Sequence, residues 1–125
     1  MYDAYKRKGL SDNQALVLAS QDALETGYGK SLSGKNNFGG IKGKGTLRKT
    51  KEEINGKLVS TVASFKDFNN LDDYVESKIK LIGGSKYRAL DTDDPATIIS
   101  SIIKGGYATD SKYADKLLSI YNKYA

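Results

Sequence analysis

Residues Ser20–Lys42 read SQDALETGYGKSLSGKNNFGGIK, an apolar helical segment that passes into a long loop rich in glycine, asparagine and aromatic residues. One glutamate, Glu25, stands where the helix is expected to end. No helical or strand periodicity persists from residue 27 to residue 45, and long loops inside small domains are usually functional or disordered. The embedded Phe38 and Ile41 argue against disorder, so we interpret this stretch as an ordered functional loop.

A buried helix is predicted immediately before the loop. Ser11 caps its first turn in this prediction, and Gln14 three residues later completes a capping box. Gly27 marks its end, and the preceding Asp3–Lys8 predicts the last turns of an earlier helix. Apolar residues on most sides of the main helix are typical of a central, buried element. They are Ala15, Leu16, Val17, Leu18, Ala19, Ala23 and Leu24.

A β-hairpin is predicted after the loop. Asn55 and Gly56 form a dipeptide that favours a two-residue type I′ turn between antiparallel strands. With that turn, Glu52 is expected to pair across from Val59 and Glu53 across from Leu58. The two glutamates then point to opposite faces of the ribbon, so that one can face a cleft while the other is solvated. The two arms of the predicted hairpin are Arg48–Ile54 and Leu58–Val62.

Three further helices complete the prediction. They are expected from Leu71 to Ile82, from Asp94-Pro95 to Gly105-Gly106, and from Ser111 onward. No linker, internal repeat or low-complexity tract interrupts the chain. We therefore expect residues 1–125 to form a single α+β domain, mostly helical with a small β-hairpin lobe.

The composition restricts the chemistry. The 125 residues include no cysteine and no histidine, which excludes Cys/His zinc sites and nucleophile systems that need histidine or cysteine. If the protein is an enzyme, its proton transfers must use carboxylates, tyrosines or lysines. Nothing in the sequence calls for a metal or another cofactor.

The charge balance bears on partners. The net charge of +5 is compatible with nucleic acid, an acidic cell-wall polymer or a membrane surface, although a solvated basic face is an equally simple explanation. No apolar run approaches the roughly 20 residues that span a bilayer. The N-terminus lacks the apolar core of a secretory signal, so we expect an excised domain, another export route or part of a larger particle.

Glu25 is a candidate acid on physical grounds. It shares a face of the buried helix with Leu18 and Gln21, and it lies at the helix C-terminus, where the macrodipole disfavours a carboxylate. Burial acts in the same direction, and both effects raise a carboxyl pKa, as a glycosidase general acid requires. The alternative is an exposed residue of the last helical turn, and position alone favours that alternative.

Four ordered segments resemble the glucosaminidase family of peptidoglycan hydrolases, glycoside hydrolase family 73. The segments are Ala23–Ser31 with Asn36–Gly43, Thr50–Gly56, Phe65–Phe68, and Gly106–Ala114. Tyr28 stands where the family usually has tryptophan, and Lys66 where it usually has arginine. The first family helix is expected to be truncated, since only Asp3–Lys8 remain.

The resemblance implies a lysozyme-like fold with a cleft between the helical body and the hairpin lobe. It also implies hydrolysis of the β-1,4 bond on the reducing side of N-acetylglucosamine in peptidoglycan. Glu25 matches the catalytic acid, and Glu52 matches a second carboxylate that acts as base for a water or stabilises oxocarbenium charge. Glu53 is the fallback for Glu52. Tyr107 matches a tyrosine near the acid, with a buried core tyrosine as the alternative.

Four more residues are expected to contact substrate: Tyr28, Asn37, Phe38 and Tyr113. Tyr28 and Phe38 suit stacking on sugar faces, whereas Phe38 could equally anchor the loop to the core. For Tyr113, packing is the stronger interpretation.

Alternative functions stay open at this point. A muramidase or lytic transglycosylase would use the same fold on the neighbouring bond, and a non-catalytic wall-binding domain of a phage tail would keep the fold without turnover. A nucleic-acid-binding module lacks a recognition motif. We expect a monomer without cofactors that acts on peptidoglycan strands, not on nucleic acid or a membrane. The expected location is extracellular, wall-associated or on a virion.

Overall fold

The computed structural model describes residues 1–125 and contains five helices and one two-stranded antiparallel sheet. The elements are α1 (Tyr2–Arg7), α2 (Asp12–Thr26), β1 (Gly45–Ile54), β2 (Lys57–Lys66), α3 (Leu71–Gly83), α4 (Pro95–Lys104) and α5 (Tyr113–Tyr124). The predicted α+β class, a helical body with a hairpin lobe, is confirmed. No helix is both long and apolar enough to cross a membrane.

Helix α2 is the central helix, as predicted. Ser11 and Gln14 form the reciprocal capping box at its start, and Gly27 ends it in the left-handed conformation at φ 59°. The helix packs against α1, α4 and α5. Its buried Val17 and Leu18 belong to one core cluster with side chains from every helix, which makes α2 a rigid support for the residues at its C-terminal end.

The hairpin has the predicted turn and register. Asn55 and Gly56 both have positive φ, 53° and 78°, as a type I′ turn requires. Glu52 pairs with Val59 and Glu53 with Leu58, so the two glutamates lie on opposite faces. Both strands are longer than predicted, because pairing continues down to Gly45 and Lys66 at the base of the lobe.

One buried side chain, Asn37, forms several of the hydrogen bonds that fix the loop between α2 and β1. The Asn37 amide donates to the carbonyl oxygens of Ile41 (2.9 Å) and Lys66 (2.8 Å), and its Oδ1 accepts from the backbone N–H groups of Gly39 and Ile41. The loop is thereby fastened to strand β2 and lies between the helical body and the lobe.

Helix α5 begins two residues later than predicted. Ser111 does not cap it, because its backbone N–H and its hydroxyl both donate to the carboxylate of Glu53, over 3.0 and 3.3 Å. Lys112 occupies the N-cap position without a side-chain cap, and the first helical residue is Tyr113. The start of α5 therefore has no side-chain cap, and Ser111 instead connects the hairpin to the helical body.

Candidate active site

The cleft lies where α2 ends, between the helical body and the hairpin. Its volume is about 370 Å³, within the range of ordinary ligand sites. Five segments line it: the end of α2, the loop around Gly40, the hairpin, the 106–110 segment and the start of α5. Glu25 and Glu52 are both among the lining residues, whereas Glu53 is not.

Glu25 occupies the floor of the cleft. The Tyr113 hydroxyl donates to its Oε1 over 2.9 Å, and Gly40 comes so close that a Cβ there would be 3.2 Å from Oε2. As a residue Glu25 is exposed, as its position alone suggested. Its carboxyl is nevertheless partly buried where it lines the cleft. This burial raises the pKa of Glu25 above 4.5, although the Tyr113 hydrogen bond and the Lys78 charge act in the opposite direction.

Glu52 lies in a contrasting environment on strand β1. The Thr109 hydroxyl donates to its Oε2 over 2.7 Å, and Lys42 pairs with its Oε1 at 3.3 Å. The hydrogen bond from Thr109, followed by the contacts with Lys42, lowers the pKa of Glu52 below 4.5. One carboxyl of the cleft is therefore biased toward the protonated form and the other toward the ionised form.

The hairpin is held over the cleft by the segment before α5. Thr109 also accepts from the backbone N–H of Glu53 over 3.0 Å, and Ser111 donates twice to the Glu53 carboxylate. Glu53 thus serves as a contact between lobe and body. This contact is what turns Glu52, rather than Glu53, toward the cleft.

The tyrosine that contacts Glu25 is not the one that was expected. Tyr107 lines the cleft, but its hydroxyl donates to the carbonyl oxygen of Gly39 and not to Glu25. Tyr113, for which packing was the stronger interpretation, is the residue bonded to Glu25. The two rings are stacked with centroids 6.5 Å apart. Burial raises the pKa of both hydroxyls far above neutrality, so both remain donors.

Three expected substrate contacts do not fit this geometry. Asn37 is fully buried and its amide is fully used by backbone groups. Phe38 packs against the core, with its ring 5.7 Å from that of Tyr74, which is the anchoring alternative. Tyr28 is 55% exposed, but it lies outside the cleft, beside Lys123 of α5. None of the three lines the cleft that contains Glu25.

A buried charged cluster beneath Glu25 was missed by the sequence reasoning. Asp22 pairs with Lys78 at 2.9 Å and accepts from the hydroxyls of Tyr5 and Tyr74, each at 2.5 Å. The Lys78 and Asp22 side chains are only 0% and 2% exposed. A signal was available: Lys78 falls on the apolar face of α3, four residues after Tyr74, where a lysine is unexpected unless it is paired.

Lys78 links this cluster to the cleft. Its ammonium lies 5.5 Å from the centre of the Tyr107 ring, and its charge acts on Glu25. Gly39 passes between the hydroxyls of Tyr74 and Tyr107, too close to either for any side chain. No group of three or more Asp, Glu, His or Cys side chains is arranged to hold a metal ion.

Comparison with known proteins identifies the family of the chain. The glucosaminidase family, described as mannosyl-glycoprotein endo-beta-N-acetylglucosaminidase, matches residues 2–125. The chain belongs to the glucosaminidase family. The resemblance inferred from the four segments is thereby confirmed, together with the assignment to the glycoside hydrolases.

Two curated relatives of known name are each 31% identical over 121 residues. Peptidoglycan hydrolase FlgJ of Pseudomonas aeruginosa is matched over 85% of this chain and 30% of its own length. Exo-glucosaminidase LytG of Bacillus subtilis is matched over 86% of this chain and 43% of its own length. The chain therefore spans less than half the length of either relative.

Solved structures share the fold. A peptidoglycan hydrolase mutant from Sphingomonas sp. A1 superimposes with a TM-score of 0.82 at 30% identity, covering 96% of this chain and 84% of that one. The catalytic domain of the autolysin Auto from Listeria monocytogenes gives a TM-score of 0.69 at 26% identity, covering 98% and 77%. The expected lysozyme-like fold of the glucosaminidase domain is confirmed.

Proposed function

We propose that residues 1–125 form the catalytic domain of an endo-β-N-acetylglucosaminidase acting on peptidoglycan. The bond cleaved is the β-1,4 bond between N-acetylglucosamine and N-acetylmuramic acid, which leaves N-acetylglucosamine at the new reducing end. The observation that carries the proposal is the pair Glu25 and Glu52, which share one cleft while their pKa values are shifted in opposite directions. Pairs of carboxyls with separated pKa values are typical of glycosidases.

Each carboxyl has a defined role in this proposal. Protonated Glu25 donates its proton to the glycosidic oxygen as the C–O bond breaks, so the leaving sugar departs as an alcohol. Ionised Glu52 stabilises the positive charge that develops on the sugar ring, or takes a proton from the attacking water. Tyr113 orients the Glu25 carboxyl, and Tyr107 holds the loop at Gly39 against the cleft.

The relatives support the substrate class. FlgJ of Pseudomonas aeruginosa is named a peptidoglycan hydrolase, and LytG of Bacillus subtilis an exo-glucosaminidase. In this proposal the chain acts as a monomer at the cell wall, outside the membrane. Both carboxyls of the cleft are present, which favours a hydrolase over a non-catalytic wall-binding domain.

The test uses Glu25→Gln, with Glu76→Gln as the matched control on the exposed side of α3. We expect Glu25→Gln to lose at least about 100-fold in hydrolysis of purified peptidoglycan, the range of general acid catalysis, while sedimenting with peptidoglycan as before. Glu76→Gln should keep full activity. Full activity in Glu25→Gln contradicts the proposal.

Mass spectrometry of the released glycans identifies the bond. Reducing-end N-acetylglucosamine on early fragments longer than a disaccharide supports an endo-acting glucosaminidase. Disaccharides alone from the start of digestion indicate exo action, as in the name of LytG. Reducing N-acetylmuramic acid indicates a muramidase, and an anhydro-N-acetylmuramic acid end indicates a lytic transglycosylase.

A further inference from the structure

The net charge of the protein resides entirely in the hairpin and the few residues that lead into it. Residues 42–66 contain seven of the 20 basic residues and two of the 15 acidic residues, a net charge of +5. The other 100 residues contain 13 basic and 13 acidic residues, so their charges cancel. The helical body is neutral overall, whereas the lobe that covers the cleft is strongly basic.

The basic side chains of this lobe are exposed, and most are unpaired. Of the seven, only Lys42 forms an ion pair, with Glu52. Both acidic residues of the lobe are already engaged, Glu52 with Thr109 and Glu53 with Ser111. Five lysines make no side-chain hydrogen bond and no ion pair, and one of them, Lys66, lies over the Phe68 ring. We call the other four the hairpin basic surface: Lys44, Lys49, Lys51 and Lys57.

This surface adjoins the cleft at Lys51. Lys51 lines the cleft beside Glu52, and it also lines a shallow pocket on the hairpin together with Lys49 and Val62. Lys49 and Lys51 alternate along β1 on one face, so their Cα atoms are about 7 Å apart. Both lysines lie on the face of the ribbon opposite Glu52, so a polymer bound in the cleft would reach them by passing Lys51, which lines both the cleft and the pocket on the hairpin.

Apolar side chains lie on the same face of the ribbon. Leu47 is 71% exposed, Leu58 is 70% exposed and Val62 is 61% exposed, and the register puts all three on the face of Lys49 and Lys51. An exposed face that mixes lysines with aliphatic side chains suits a ligand that carries carboxylates on partly apolar arms. Lysine is a flexible point charge, which fits carboxylates at variable positions better than it fits one fixed anion.

We propose that the hairpin basic surface binds the carboxylates of the stem peptides on the same glycan strand whose sugars occupy the cleft. This inference rests on the proposed function, since peptides branch from the muramic acid sugars of that polymer. Binding there holds the lobe against the substrate and increases residence on the wall without contributing to bond cleavage. The attraction is electrostatic and is therefore weakened by salt.

The test measures binding in the inactive Glu25→Gln background, so that the polymer stays intact. One variant adds Lys44→Gln, Lys49→Gln and Lys57→Gln, three lysines that do not line the cleft. The matched control adds Lys30→Gln, Lys80→Gln and Lys104→Gln, three exposed lysines without ion pairs outside the lobe. Each set removes the same charge. Cosedimentation is measured with peptidoglycan stripped of secondary polymers, and with the same material after its carboxyls have been amidated.

We expect the hairpin set to weaken binding about tenfold at low salt, three surface contacts being removed, and the control set to change it less than about twofold. The difference should disappear on amidated peptidoglycan and in about 0.5 M salt. Equal binding by the two sets overturns the proposal. So does a loss that persists on amidated peptidoglycan, which would indicate contact with the sugars themselves.

Two further measurements distinguish stem-peptide binding from binding to other anionic polymers or lipids, and distinguish failure of this proposal from failure of the proposed function. The protein could bind walls that keep their phosphate polymers, or vesicles of anionic phospholipid, without binding stripped peptidoglycan. That result would overturn the stem-peptide proposal and identify the phosphate polymer or the phospholipid as the ligand. Hydrolysis of an uncharged N-acetylglucosamine oligomer is measured with Glu25 intact and should be unchanged by the hairpin set. If no glycan is hydrolysed, the proposed function fails, and the binding measurement still decides the present proposal.

Discussion

The hydroxyl of Tyr113 donates a 2.9 Å hydrogen bond to Oε1 of Glu25, so the first residue of α5 holds the carboxyl carried by the last turn of α2. The two residues are 88 positions apart in the chain. The bond orients the carboxyl in the cleft and lowers the pKa of Glu25, against the larger effect of burial. Tyr113 is thus a positioning residue whose loss should change both the rate and its pH dependence.

Tyr113→Phe is expected to reduce kcat/KM about tenfold, since one orienting hydrogen bond to the acid is lost. It should also move the alkaline limb of the pH profile to higher pH, because the bond that lowers the pKa of Glu25 is gone. The matched control is Tyr121→Phe, the same change on the same helix at a hydroxyl that bonds Asn13. If the alkaline limb of Tyr113→Phe stays at the same pH, the hydrogen bond from Tyr113 does not affect the pKa of Glu25.

The opposite pKa shifts predict a bell-shaped pH profile for kcat/KM. Activity should fall as pH rises through the raised pKa of Glu25, because the acid loses its proton, and fall again below 4.5 as Glu52 becomes protonated. Glu52→Gln should lower activity more than about tenfold and remove the acid limb. Glu53→Gln should retain the acid limb, because that side chain contacts Ser111 instead of the cleft. A profile in which only Glu53→Gln loses the acid limb would reverse the assignment.

Glu25→Gln should be more stable than the unchanged protein at neutral pH. The pKa of Glu25 is raised in the folded state, so the folded protein binds this proton more tightly than the unfolded chain does. Stability linked to this group is therefore present below pH 4.5 and lost as pH rises through the folded pKa. Thermal unfolding should show a Tm increase of about 1–2 °C at pH 7 that vanishes near pH 4. An equal difference at both pH values would mean that the carboxyl is not destabilised by burial.

Gly40→Ala should impair catalysis through contact with Glu25. Gly40 has φ +62°, and an added Cβ would lie 3.2 Å from Oε2 of the acid. Gly29→Ala is the control, since Gly29 also has positive φ, +84°, but a Cβ there meets nothing within 4 Å. Both variants should lose about 1 kcal/mol of stability in urea unfolding. Only Gly40→Ala should also lose roughly 10- to 100-fold in kcat, the effect of a displaced catalytic group.

Lys78→Met should destabilise the protein by about 3–5 kcal/mol, because it leaves the carboxylate of Asp22 buried without its cation. The double variant Asp22→Asn with Lys78→Met should recover part of that loss, since no buried charge remains. Urea unfolding measures both, with Lys80→Met on the exposed side of α3 expected within about 0.5 kcal/mol of the unchanged protein. A small effect of Lys78→Met would mean that the folded state does not depend on the ion pair between Lys78 and Asp22.

The sequence alone predicted the order and type of the helices and strands, and it named the two carboxyls as candidates. The capping box of α2, the Asn55-Gly56 turn and the pairing of Glu52 with Val59 depend on neighbours within a few residues or on one turn. Such local preferences do not depend on how distant parts of the chain pack, so they can be predicted from the sequence. Absence of histidine and cysteine left carboxylates, tyrosines and lysines as possible reacting groups, and the matched segments supplied the family and singled out Glu25 and Glu52.

Contacts between residues far apart in the chain decided the rest. Alternation along β1 predicted that Glu52 and Glu53 face opposite sides of the ribbon. Which of them faces the cleft is determined by the contacts of the hairpin with Thr109 and Ser111, which place Glu52 there. The same contacts engage Ser111, so α5 begins at Tyr113 instead of Ser111. Local patterns cannot encode such choices, because each depends on which polar groups meet once the helices have packed.

The tyrosines and Asn37 illustrate the same limit. Tyr107 and Tyr113 belong to one short segment and are chemically identical, and only the packing of α5 on α2 gives Tyr113 the bond to Glu25. Asn37 was expected at the substrate and instead bonds backbone groups of its own loop and of strand β2. A side chain's type states what bonds it can form, whereas burial and partners, set by the tertiary structure, determine which of them it forms.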